Sequence, residues 1–272
     1  MRDSKIKMFI LYGLAGAITA ISVLPILWVV FGAFKSDIGM MTLPPVAPDF
    51  ADWSLIIEFV AKYYPFIFNS LFVTIGSTIF CLILAMPMAF GLVNFKLQGE
   101  NFIADWILST RMMPPIAAAI PLFIIFNGLG MVNSRASLLI AYTGFNLPFA
   151  IWVLMTFIRK VPKELIEAAR AEGATWFQTL LYIVVPVSLS GIATTATFVF
   201  IFAWNEFLLA LFLTGQETRT LPVVISSFVG TGRIYWSNIA IATLIQSIPP
   251  IIFAFVMQRH IVSGMTMGAV KD

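Results

Sequence analysis

The stretch MFILYGLAGAITAISVLPILWVVFGAF, residues 8–34, contains no charged residue. A helix that crosses the hydrocarbon core of a bilayer needs about 20 consecutive, mostly apolar residues. The stretch exceeds that length and therefore predicts a transmembrane helix. Basic residues precede it, and the small residues 15–17 resemble the cleavage site of a secretory signal. Because the apolar run continues well beyond that point, we interpret it as an uncleaved first helix.

Uncharged runs of similar length recur along the chain. Hydrophobic residues make up 60% of the sequence and charged residues 11%, against about 25% charged residues in a soluble domain. The pattern predicts an all-α integral membrane protein with six transmembrane helices, in which residues 1–272 form a single transmembrane domain. The predicted helices cover residues 9–33, 67–91, 105–126, 137–157, 191–213 and 239–260.

The placement of Lys and Arg predicts the orientation, because cytoplasmic segments are enriched in these residues. With the N-terminus inside, ten lie in inner segments and five in outer segments, while Arg111 lies within a predicted helix. Both termini and the loop 159–186 are therefore predicted to be cytoplasmic, with large outer loops at about 34–66 and 214–238. The inner set is Arg2, Lys5, Lys7, Lys96, Arg159, Lys160, Lys163, Arg170, Arg259 and Lys271, and the outer set is Lys35, Lys62, Arg135, Arg219 and Arg233.

Several classes of function lack their residues in this sequence. The P-loop pattern G-x-x-x-x-G-K-[ST] is absent, so no P-loop cradles nucleotide phosphates in this chain. With one His and one Cys, we expect no metal site, and no catalytic set is visible. The net charge of +3 is small and scattered, which does not favour nucleic-acid binding. We therefore expect neither an enzyme nor a cofactor-binding chain.

The loop RKVPKELIEAARAEGATWFQTLLYIVVP, residues 159–186, is the most informative segment. Pro162 suits a helix start, Gly173 a left-handed stop, and Thr175 with Gln178 a capping box for a second helix. The pattern predicts two short helices joined at Gly173-Ala174. Such a hairpin either only connects two spans at the membrane surface or docks into another protein, for which Arg170 could supply a directed contact.

The spacing Glu167-Ala168-Ala169-x-x-x-Gly173, followed after nine residues by Ile183-x-Val185-Pro186, resembles the EAA loop of permeases of binding-protein-dependent ABC importers. That family usually has Leu where this chain has Val185. The resemblance implies a type I ABC importer permease-like bundle whose loop is a coupling helix in a cleft of an ATPase subunit. It assigns the docking role to Glu167, Ala168, Ala169, Gly173 and Ala174.

Further segments resemble the maltose-type, multiple-sugar branch of that family. They include Trp204-Asn205-Glu206-Phe207, Leu147-Pro148-Phe149 and the ending Gly268-Ala269-Val270-Lys271. The resemblance implies a bacterial inner-membrane permease for a sugar or related polyol. It also implies a sister permease, two ATPase subunits that bind ATP and Mg²⁺, and an external substrate-binding protein that delivers substrate to the outer loops.

Polar residues within predicted spans are costly in lipid and usually face a cavity or a neighbouring helix. We expect candidates for the translocation path among Trp204, Asn205, Glu206, Asn127 and Gln246. Adjacent helical residues point about 100° apart, so the first three cannot all face one cavity. The alternative is that Asn205 and Glu206 bond a neighbouring helix while Trp204 packs. Arg111 is expected to extend towards the inner surface.

A stand-alone secondary transporter or channel for a small polar solute is the alternative function. That class needs several ionisable residues deep in the helices for ion coupling. Glu206 is the only strong carboxylate candidate here, which favours the ATP-driven importer.

Overall fold

A computed structural model describes residues 2–35, 37, 53–95, 99–230 and 234–266, with side chains left undescribed at 2–7, 9–10 and 260–266. In these ranges the chain is helical apart from turns and an isolated bridge between Val229 and Ile234. The helices are α1 Arg2–Gly32, α2 Trp53–Asn94, α3 Glu100–Thr110, α4 Pro115–Gly128, α5 Arg135–Ile158, α6 Lys163–Ala171, α7 Trp176–Val187, α8 Leu189–Trp204, α9 Leu208–Leu213, α10 Leu221–Ser227 and α11 Trp236–Thr266.

Four described helices are long and apolar enough to cross a membrane, and the number reaches six if each of two bent pairs counts as one span. The four are α1, α2, α5 and α11, and the bent pairs are α3 with α4 and α7 with α8. Apolar side chains such as Leu11, Ile18 and Leu24 are exposed along α1, as expected of a surface that lipid covers.

The predicted spans and the helices differ at two breaks. The predicted helix 105–126 is two helices, α3 and α4, bent by 81° at Arg111–Pro114. Consecutive prolines explain the break, since Pro115 has no amide to bond into α3 and suits the first turn of a new helix. The predicted helix 191–213 is likewise interrupted, because α8 ends at Trp204 and α9 begins at Leu208.

The outer loops also differ from the expectation. Residues 53–66 of the predicted outer loop 34–66 belong to α2, which is 42 residues long and contains Pro65 and Pro87. Residues 38–52 of that loop lie outside the described residues. The loop 214–238 contains the short helix α10, and its residues 231–233 are not described.

The contacts divide the chain into two units, and the single domain stays a prediction. The smaller unit comprises Met1–Tyr64 and Val224–Ile248, in which Phe59 and Tyr63 pack on Phe228. The larger unit comprises Pro65–Val223 and Pro249–Asp272 and contains two apolar clusters. One cluster joins the ends of α2 and α5 to α6 and α7, and the other joins α4, α5 and α9.

The predicted hairpin is present as α6 and α7. Gly173 has φ +90°, the left-handed conformation that glycine adopts without steric cost. The capping box is complete, because Thr175 Oγ1 accepts from the amide of Gln178 over 3.2 Å and Gln178 Oε1 accepts from the amide of Thr175 over 2.7 Å. A π-helical segment, Leu180–Val184, then precedes the 81° bend into α8.

Candidate functional site

Arg111 lies at the break between α3 and α4 and points to α5 rather than extending along its own helix. Its Nη1 atom donates to the carbonyl of Phe145 over 3.1 Å and to Asn146 Oδ1 over 3.0 Å. Its guanidinium carbon is 4.3 Å from the ring centre of Phe202 and 5.2 Å from that of Phe149. The expected extension to the inner surface is not what the structure shows, because contacts with the helix bundle hold this cation.

Glu206 lies at the second break, between α8 and α9. Its Oε1 atom accepts a hydrogen bond of 3.0 Å from the amide of Leu209, which satisfies a donor in the first turn of α9. The carbonyl of Glu206 accepts a bond of 3.3 Å from the hydroxyl of Tyr142. The side chain is half-buried. Its carboxylate therefore caps the first turn of α9 and also presents a polar group inside the bundle.

Residues at the α3–α4 break and at the α8–α9 break line the same cavity in the larger unit. It has a volume of about 90 Å³, which is enough to hold ordered water. Its wall combines a guanidinium, a carboxylate, an amide, a phenol and aromatic rings. The lining residues are Arg111, Pro115, Tyr142, Phe145, Asn146, Phe202, Glu206 and Leu209.

The other predicted path residues lie elsewhere. Trp204 is 1% exposed and stacks on Phe200 with ring centres 6.1 Å apart, so it packs as the alternative expected. Asn205 is exposed, and its Nδ2 atom donates to the carbonyl of Ile201 in its own helix over 2.8 Å. Asn127 is exposed near the end of α4.

Gln246 belongs to the smaller unit, where it is half-buried on α11. The cavity in the larger unit therefore contains Glu206 alone among the predicted path residues, and a path role for the others stays a prediction.

Three cavity residues on α5, namely Tyr142, Phe145 and Asn146, were missed by sequence reasoning. Asn146 interrupts an apolar run and was the available signal. Its Nδ2 atom donates to the carbonyl of Tyr142, one turn earlier, over 2.8 Å. Its Oδ1 atom accepts the hydrogen bond from Arg111 Nη1. The amide is therefore fixed in orientation and satisfied at both ends.

The hairpin presents the predicted docking residues on its surface. Glu167, Ala168 and Gly173 are exposed, whereas Ala169 and Ala174 are half-buried. The neighbouring Ile166 is 7% exposed and packs in the cluster that includes the end of α5. Helix α6 thus packs one side against the bundle and exposes small side chains on the other, while their docking role stays a prediction.

A buried polar clamp holds the loop that follows α9. Asn69 is fully buried on α2, and its Nδ2 atom donates to the carbonyls of Glu217 and Arg219 over 2.9 and 3.1 Å. Its Oδ1 atom accepts from Arg135 Nε over 2.8 Å. Ser70 Oγ accepts from the amide of Leu221 over 2.7 Å, so α2 holds the second half of this loop up to the start of α10.

Apolar helices of spanning length, a polar cavity at two helix breaks and an exposed hairpin with small residues define a membrane-embedded transport subunit. Residues 67–267 match the family described as the inner membrane component of binding-protein-dependent transport systems, and the chain belongs to this family. The resemblance in the EAA loop is thereby confirmed at the level of the family.

Relatives in this family resemble the chain over most of its length. A trehalose/maltose transport system permease protein of Thermococcus litoralis is 31% identical and covers 100% of this chain and 99% of its own. A probable ABC transporter permease protein of Sinorhizobium fredii is 34% identical, covering 91% and 90%. Such relatives are permease subunits, in agreement with the expectation that this chain is not an enzyme.

A solved bacterial ABC transporter that imports the acidic polysaccharide alginate has a chain with the same fold. The TM-score is 0.78 at 22% identity, with 95% of this chain and 98% of that chain covered. The all-α permease fold expected from the sequence is confirmed by this likeness.

Proposed function

We propose that this chain is the permease subunit of an ATP-driven importer that carries a sugar or a related polyol. One observation carries the proposal: a chain of this family contains both a polar cavity and an exposed hairpin. The Thermococcus relative, named for trehalose and maltose, supports the choice of substrate class.

The cavity residues suit the chemistry of a sugar. The carboxylate of Glu206 and the remaining lone pair of Asn146 Oδ1 can accept hydrogen bonds from hydroxyl groups, Arg111 can donate them, and the ring of Phe202 offers a face for C–H groups. The cavity of about 90 Å³ is smaller than ordinary ligand pockets, which run from roughly 300 Å³ upwards. We infer that this chain supplies half of the path and a sister permease supplies the other half.

The hairpin docks an ATPase in this proposal. Glu167, Ala168, Ala169, Gly173 and Ala174 form the docking surface, because small side chains allow close approach and Glu167 offers a charged contact. ATP and Mg²⁺ bind to a pair of ATPase subunits and not to this chain. Closure of that pair displaces the hairpin and switches the path between its outward and inward states.

Topology follows from the distribution of Lys and Arg. Both termini and the hairpin face the cytoplasm of a bacterial cell, and the segments around 34–66 and 214–238 face an external substrate-binding protein. The buried clamp by Asn69 supports this role for the second segment, since a partner binds a preformed surface at lower entropic cost.

Reconstitution tests the proposal. The chain is expressed with its sister permease and ATPase, and uptake of labelled maltose, trehalose and sorbitol into vesicles is measured with the binding protein present. We expect uptake that requires ATP, and loss of ATPase co-purification with Gly173→Asp or Glu167→Lys. Uptake by this chain alone, driven by a proton gradient without ATPase, would instead establish the secondary-transporter alternative.

A further inference from the structure

An aromatic contact connects the hairpin to the end of α2. Trp176, the first residue of α7, lies with its ring centre 5.0 Å from that of Phe95 and 6.2 Å from that of Phe90, both in edge-to-face geometry. Phe90 is 4% exposed, whereas Trp176 is 40% and Phe95 49% exposed. The indole therefore rests on a buried ring of α2 and meets a second ring at its surface.

Arg170 also contacts this indole. Its guanidinium carbon is 4.4 Å from the centre of the Trp176 ring, and its Nη1 atom donates to the carbonyl of Ala174. Arg170 belongs to the last turn of α6, so one side chain bridges the left-handed turn at Gly173. In the structure Arg170 contacts two residues of the hairpin itself, Trp176 and Ala174, and its suggested contact with a partner stays a prediction.

We propose that Trp176 is a positioning residue that ties the turn of the hairpin to the end of α2, so that displacement of the hairpin by an ATPase moves α2. The inference rests on the proposed docking of an ATPase at this hairpin. Trp176 is the shared member of these contacts, since Arg170, Phe95 and Phe90 each lie against its ring. Edge-to-face aromatic pairs change an equilibrium constant by roughly two- to tenfold.

The hairpin is also attached to the bundle through contacts other than that of Trp176. Ile166 and Leu180 are buried in the same apolar cluster as Phe90 and also connect the hairpin to the bundle. These two residues flank the turn, whereas Trp176 immediately follows it, three residues after Gly173. The contact by Trp176 therefore constrains the Gly173-Ala174 end of the docking surface, whereas Ile166 lies beside Glu167 at the other end.

Hydrogen exchange in the assembled complex tests the proposal. The complex of this chain with its sister permease and ATPase is compared without nucleotide and with ATP plus vanadate. In the wild type we expect exchange to change both in the hairpin, residues 163–179, and in the last turns of α2, residues 85–95. With Trp176→Ala we expect the change in the hairpin to persist and that in α2 to fall by about threefold or more.

Two variants separate positioning from a general loss of stability. Trp176→Phe keeps an aromatic ring in place, and we expect it to restore most of the nucleotide-dependent change in α2. Tyr182→Ala removes a 73% exposed aromatic side chain from α7, and we expect it to leave the change intact. General destabilisation would raise exchange in both nucleotide states and would leave their difference unchanged.

The outcomes distinguish this inference from the proposed function. An intact change in α2 with Trp176→Ala would overturn the inference and assign the attachment to Ile166 and Leu180. Failure of the wild-type chain to hold any ATPase would instead overturn the proposed function. If Trp176→Ala prevents isolation of the complex, Phe95→Ala removes the facing ring from an exposed position and gives the same readout. In that variant too, an unchanged response in α2 would contradict the proposal.

Discussion

Arg111 and Asn146 are 35 positions apart in the chain and are joined by a hydrogen bond of 3.0 Å from Nη1 to Oδ1. The bond connects the break between α3 and α4 to the middle of α5. A cation at such a site is tolerated because the amide oxygen, the carbonyl of Phe145 and the ring of Phe202 replace part of its hydration.

Removal of this cation is expected to weaken both the fold and transport. Hydrogen bonds to charged groups contribute about 1.5–3 kcal/mol each, so we expect Arg111→Gln to lower uptake by about tenfold and to lower the melting temperature of the purified complex. Arg159→Gln is the control, because the ion pair of Arg159 with Glu100, 3.5 Å long, lies at the surface, where such pairs contribute about 0–1 kcal/mol. Equal behaviour of the two variants would contradict a special role for Arg111.

Glu206 is expected to have separable structural and transport roles. Glu206→Ala removes the acceptor for the amide of Leu209 and should cost about 1 kcal/mol of unfolding free energy, as loss of a helix cap does. Glu206→Gln keeps an acceptor oxygen, so the melting temperature should remain near that of the wild type while uptake falls. Normal uptake by Glu206→Gln would show that the carboxylate charge has no part in the path.

The start of α8 packs closely against α5 at Gly191. A Cβ atom built on Gly191 would lie 2.4 Å from Cγ and 2.5 Å from Cβ of Phe157. We expect Gly191→Ala to destabilise the complex by about 1–3 kcal/mol, as overpacking does. Thermal unfolding in detergent measures the effect.

Gly144→Ala is the matched control for that substitution. Gly144 is also helical, but nothing lies within 4 Å of its Cβ position. Alanine is favoured over glycine in a helix by about 0.5–1 kcal/mol, so this variant should be neutral or slightly stabilising. A loss of stability with Gly144→Ala equal to that with Gly191→Ala would remove the steric explanation.

Features set by neighbouring residues were predictable from the sequence. The span of α5 follows from an uncharged run, and the hairpin turn follows from Gly173 and the capping pair Thr175 and Gln178. In these cases the groups that satisfy the backbone lie within a few positions of the helix end. Local chemistry alone therefore defines the element.

The breaks and the cavity depend on partners that are distant in sequence. The prolines Pro114 and Pro115 account for the first break, but the direction of Arg111 depends on Asn146 of another helix. Similarly, the carboxylate of Glu206 accepts from the amide of Leu209 in the first turn of α9, and an apolar run does not reveal that contact. Tertiary contacts of this kind bring Tyr142 and Asn146 to the cavity beside Glu206, and of these two only the polar Asn146 was visible as a candidate in the sequence.

The clamp by Asn69 gives the last prediction. Asn69→Ala leaves the carbonyls of Glu217 and Arg219 without their donor and removes the acceptor of Arg135 Nε, so we expect a loss of about 2 kcal/mol and a loosened loop. Trypsin added to right-side-out vesicles should then cleave after Arg219 several-fold faster. Asn205→Ala is the control, because that exposed amide bonds the carbonyl of its own helix. Unchanged cleavage in Asn69→Ala would show that other contacts hold the loop. It would also contradict the proposal that Asn69 preforms this outer surface for a binding protein.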